Sequence, residues 1–123
     1  MKSEESTFVT SLSISQIRQV LQQPLGGCEI GPLNFDYLDD QIPDFSCVAE
    51  KRGLIGGSSA IQIEVFEGEH GCLINIVAIW DSGLARAWSG FSQSVSQSGS
   101  KKLAEQVIDA LRAADPKMTP FVG

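Results

Sequence analysis

The stretch from Ala60 to Trp88 constrains the fold more than any other part of the chain, because it reads as three antiparallel strands joined by two short turns. In Ala60–Phe66, Ile61, Ile63 and Val65 fall on one face, with Gln62 and Glu64 on the other. This is the period of a strand with one wet side. Glu67-Gly-Glu-His-Gly71 supplies turn residues, and Cys72–Trp80 is an almost unbroken apolar run, as expected of a central strand covered on both faces. Asp81-Ser-Gly83 offers a second tight turn that would return Leu84–Trp88 alongside. Three antiparallel strands are therefore predicted as the seed of one sheet.

Helical patterns flank this seed. Ser13-Ile-Ser-Gln16 fits a capping box, with Leu12 and Ile17 at the positions of a hydrophobic staple. Ile14, Ile17, Val20 and Leu21 form an apolar stripe, which Pro24 and Gly26-Gly27 stop. From Lys101, Leu103, Val107, Leu111 and Ala114 repeat at helical spacing until Asp115-Pro116, with Ser98-Gly-Ser100 as the expected cap. Asp44–Glu50 alternates as a strand. Thr7–Leu12 reads as a short strand or a lead-in, and Cys28–Leu38 as an edge strand broken at Gly31-Pro32. Residues 84–95 stay open between strand and helix: the preceding turn favours a strand, whereas Leu84, Trp88, Phe91 and Val95 share one helical face.

The expected architecture is a single α+β domain over residues 1–123, with 1–6 and 118–123 flexible. It is a two-layer sandwich, a mainly antiparallel sheet of about four to five strands with an N-terminal and a C-terminal helix on one face. The expected core contains Ile17, Leu21, Ile63, Val65, Ile76, Trp80, Val107 and Leu111. A sheet covered on one side leaves the apolar second face of Cys72–Trp80 in need of a cover, which predicts a homodimer or another partner.

Charge and cysteine usage narrow the partners. A formal net charge of −6 opposes binding to nucleic acid or to an anionic membrane, since both demand a basic stripe. No apolar run approaches the roughly 20 residues of a membrane span, and the N-terminus has no apolar signal core. The expected location is the cytoplasm, or outside it for a mature exported protein. Cys28, Cys47 and Cys72 are odd in number and widely spaced, which predicts reduced thiols, with Cys47 and Cys72 as small core residues. A metal site from His70 and Cys72 with Cys28 or Cys47 lacks a close cysteine pair, so no metal or cofactor is expected.

No catalytic signature is present. His70, the one histidine, lies in a turn between acidic residues and glycine, and recruiting Ser58, Ser59 or Cys72 to it has no support from spacing. The glycines of Ile55-Gly-Gly-Ser-Ser59 match no phosphate-binding spacing. The predicted function is a non-enzymatic protein-interaction module of binding, chaperone-like or inhibitor type, using an acidic-aromatic loop or the uncovered sheet face. In the loop from Asn34 to Phe45, Asp36, Asp39, Asp40 and Asp44 would steer a basic partner while Phe35 and Tyr37 supply apolar anchors. The alternative is a small-molecule-binding domain or minor enzyme, with a pocket between helix and sheet formed by His70, Trp80, Arg86 and Trp88.

Overall fold

Cross-strand pairing organises the molecule around the predicted hairpin. The computed structural model describes residues 2–31, 42–52, 58–80 and 97–121. In chain order these form β1 (Lys2–Thr10), α1 (Ile14–Leu21), β2 (Glu29–Gly31), β3 (Phe45–Arg52), β4 (Ser58–Gly68), β5 (Gly71–Trp80), α2 (Gln97–Ala114) and β6 (Thr119–Pro120). The strands make one open six-stranded sheet, ordered β2-β3-β4-β5-β1-β6, with every neighbour antiparallel. The fold is a two-layer α+β sandwich with both helices on one face of the sheet.

The β4–β5 hairpin turns through Glu69-His70, with Gly68 opposite Gly71. Gly71 has φ +141°, and a Cβ there would collide with the carbonyl oxygen of Thr10. Glycine is required because the end of β1 passes directly beside this turn. Strand alternation then sorts the residues. Cys47, Ala49, Ile61, Ile63, Val65, Ile74, Ile76 and Ala78 point into the main core and are buried. From above, α1 adds Ile17 and Leu21, while α2 adds Leu103, Val107 and Leu111.

The capping box is formed as the sequence predicts. Gln16 N–H donates to Ser13 Oγ at 3.2 Å, and Ser13 N–H donates to Gln16 Oε1 at 2.9 Å. The second helix differs at its start. It begins at Gln97, so Ser98, Gly99 and Ser100 lie inside it. Ser100 is fully buried, and its Oγ accepts the amide of Ala60 at 2.9 Å, an interaction that offsets serine's weak helix propensity. Ala114, assigned to the apolar stripe, is exposed.

Strand pairing extends from Lys2 on one side of the chain to Pro120 on the other. Lys2–Ser6, expected to be loose, is the first half of β1 and runs opposite Ile76–Trp80. A polar sequence can do this because the hydrogen bonds of a strand ladder belong to the backbone. At the other end Met118 is buried, Thr119–Pro120 pairs with β1, and Phe121 N–H donates to Thr7 O at 2.8 Å. Asp115 fastens the two ends together. Its Oδ2 accepts from Thr10 Oγ1 at 2.7 Å and from Ser11 N–H at 3.0 Å.

The sheet face away from the helices is not bare. Val48, Ala60, Val77 and Ile79 form a second buried cluster there, with Trp80 against it. Between Val48 and Val77 lies Gln62, buried with its Oε1 lacking a hydrogen-bond partner among the described residues. Glu50 is also buried and accepts from Ser58 Oγ at 3.0 Å. Asn75 bridges Glu5 and Glu64 through its Nδ2. Among the described residues, Val9, Leu73 and Phe66 lie side by side across β1, β5 and β4 at one end of this face and keep some exposure.

Candidate functional site

A groove opens where α1 passes the short strand β2. After α1, Leu25 N–H donates to Leu21 O and Cys28 N–H to Leu25 O, both at 3.0 Å. Gly27, at φ +83°, supplies the left-handed step that swings the chain into β2. Within β2, Glu29, Ile30 and Gly31 pair with Glu50, Ala49 and Val48. Among the described residues no strand lies outside Phe45–Cys47, and a groove of about 320 Å³ opens there.

Its lining is mainly apolar. Leu21 and Leu25 contribute from the helix side, Cys47 and Phe45 from β3, and Ile30 from β2. Ile30 is 54% exposed, an unusual placement for a large aliphatic residue in a strand. Arg18 is the charged group of the lining, and its guanidinium carbon sits 5.2 Å from the centroid of the Phe45 ring. This cation–π contact holds the charge over an apolar wall. Arg18 has no carboxylate within salt-bridge distance among the described residues, whereas Lys101 pairs with Glu4 at 3.0 Å. Burial pushes the Cys47 thiol up to about 11, against a smaller opposing pull from Arg18. Cys47 is therefore a neutral apolar surface rather than a nucleophile.

The residues singled out from sequence fall elsewhere. Phe35, Asp36, Tyr37, Asp39, Asp40, Arg86 and Trp88 lie outside the described residues, as do the Asp81-Ser-Gly83 turn and Leu84–Val95. Asp44 ties the start of β3 to β4. Its Oδ2 accepts from Glu67 N–H at 2.7 Å, and its own N–H donates to Val65 O at 2.8 Å. His70 and Trp80 stand at opposite ends of β5, about 30 Å apart at the usual rise of an extended strand. They do not share a pocket. Trp80, expected in the core, is half-buried at the strand end, with Lys101 Nζ 5.5 Å from the centroid of its ring.

His70 is exposed in its turn and borders a shallow depression of about 360 Å³ that Val9, Phe66, Leu73 and Cys72 also line. Cys72 itself is buried, and its thiol is raised first by burial and then by the nearby charges of Glu67 and Asp44. That opposes thiolate formation beside His70. Ser58, another recruit considered for His70, lies at the far end of β4 and donates to Glu50. All three cysteines are free, and among the described residues no group of three or more His, Cys, Asp or Glu is placed to hold a metal ion. No helix among the described residues is long and apolar enough to cross a membrane.

Sequence reasoning misses the groove because its parts come from three separated segments. Its one legible signal is Arg18, a single cation on a helix face otherwise made of glutamines. Comparison with known proteins found no matching family model, no similar curated protein and no similar solved structure.

Proposed function

We propose that this chain is a non-enzymatic binding module whose site is the groove between α1 and β3, and that it takes a small apolar ligand. The observation that carries this reading is the open, apolar-lined volume of about 320 Å³ bounded by Leu21, Leu25, Ile30, Phe45 and Cys47. It falls within the range of about 300–1,000 Å³ typical of small-molecule sites, whose apolar walls likewise carry only a few polar groups. Here those groups are Arg18 and Gln22. This keeps the pocket between helix and sheet anticipated from sequence but builds it from other residues.

Docking of a basic protein on the Asn34–Phe45 loop has weaker support. Asp44, the described member of its acidic set, already has its carboxylate on the Glu67 amide. The proposed homodimer retains one footing, the partly exposed Val9–Leu73–Phe66 end of the outer face, because the edges β2 and β6 span only three and two residues. Light scattering at micromolar concentration reads that state directly.

The groove is tested by titrating isotope-labelled protein with 1-octanol and following amide signals. Shifts should centre on Arg18, Leu21, Leu25, Ile30, Phe45 and Cys47. Shifts confined to the hairpin end around Val9 and Leu73, or none, would overturn the assignment.

A further inference from the structure

Resting on the groove reading above, we infer that the ligand is an apolar monoanion, its negative head on the Arg18 guanidinium and its hydrocarbon body along Leu21, Leu25 and Phe45. The inference comes from charge complementarity. In a chain of net charge −6, a cation held at an apolar groove with no carboxylate partner among the described residues is out of keeping with its surroundings. Of the other cations described over aromatic rings, Lys101 is neutralised by Glu4, while Arg112, over Phe8, lies outside the groove that Arg18 lines. No described carboxylate does the same for Arg18. The Arg18 guanidinium carbon lies 5.2 Å from the centroid of the Phe45 ring, and a guanidinium carries five N–H donors in a rigid fork. Those donors suit the two oxygens of a carboxylate, which they can bind in parallel.

The floor of the groove sets the rest of the ligand. Cys47 is a neutral thiol, and beyond the Gln22 amide the aliphatic and aromatic walls provide no array of polar groups for a polar body. Burial raises the Cys28 thiol, with the charge of Lys51 opposing it more weakly. A sugar phosphate or nucleotide would match the charge but not the apolar walls. A fatty or aromatic monocarboxylate matches both.

The test compares three probes of equal chain length, octanoate, 1-octanol and octylammonium, by the same amide titration at low salt. Octanoate should bind about fivefold more tightly than octanol, a modest preference because Arg18 is exposed and screened. Octylammonium should bind more weakly than either. In Arg18→Gln the ratio of octanoate to octanol affinity should fall to about one, and in Lys101→Gln, a remote loss of the same charge, the preference should persist. Octanol and octanoate binding equally in the groove of the unaltered protein would overturn the anion inference and leave the groove standing. Failure of octanol to reach the groove would remove the groove itself, and the inference with it. A preference that survives Arg18→Gln would also reject Arg18 as the head-group site.

Discussion

At the scale of single residues, Asp115 ties the end of β1 to the segment that follows α2. It accepts from Thr10 Oγ1, from both the amide and the hydroxyl of Ser11, and from the amide of Lys117. These donors, the Thr10 hydroxyl first, hold its carboxyl below the ordinary carboxylate value, with burial opposing them more weakly. A carboxyl whose folded pKa is depressed stabilises the protein above its unfolded pKa of about 3.9 and loses that contribution as the pH falls through the folded value. Asp115→Asn should therefore lower Tm at pH 7, and the gap between variant and parent should narrow below about pH 4. Thermal melts across the acid range up to neutrality check this, and a gap independent of pH would mean that hydrogen bonding is indifferent to the charge.

At the scale of elements, Ser100 shows how a sequence can mislead about an element's start and still be read afterwards. Its Oγ accepts the Ala60 amide in a fully buried contact. Ser100→Ala should cost about 1–3 kcal/mol, the penalty for leaving a buried donor unpaired. Equilibrium urea unfolding measures it, and a change within error would show that water replaces the serine. Elements with strong local signals were legible: the Ser13 capping box, the alternation of Ile61, Ile63 and Val65, and the α2 stripe at Leu103, Val107 and Leu111 all stand where the pattern puts them. What stayed hidden depends on tertiary pairing. Lys2–Ser6 has no alternation of its own and becomes strand only because β5 supplies hydrogen-bond partners. The groove escaped for the same reason, since Arg18 and Phe45 meet only after β3 is paired. His70 and Trp80 do not meet because they stand at opposite ends of β5, while Arg86 and Trp88 of the same expected pocket lie outside the described residues.

At the scale of the whole molecule, the order β2-β3-β4-β5-β1-β6 places the first strand between two that come much later in the chain. Thr10 is matched with Cys72 in the ladder and bonded to Asp115. This has a kinetic meaning. The β3-β4-β5 meander is local and can form early, whereas β1 must wait until a long loop is closed, with the entropy that closure demands. Docking of β1 should therefore fall late, after the rate-limiting barrier. Phe8, buried on β1, reports on that step. Phe8→Ala should destabilise by roughly 3 kcal/mol, nearly all of it as faster unfolding with the folding rate little changed. Stopped-flow chevrons would show this, and an equally large slowing of refolding would place β1 in the nucleus instead. During synthesis the first strand made would be among the last to be seated, so the emerging chain would carry Phe8 and Val9 without their final neighbours until Cys72–Trp80 has left the ribosome.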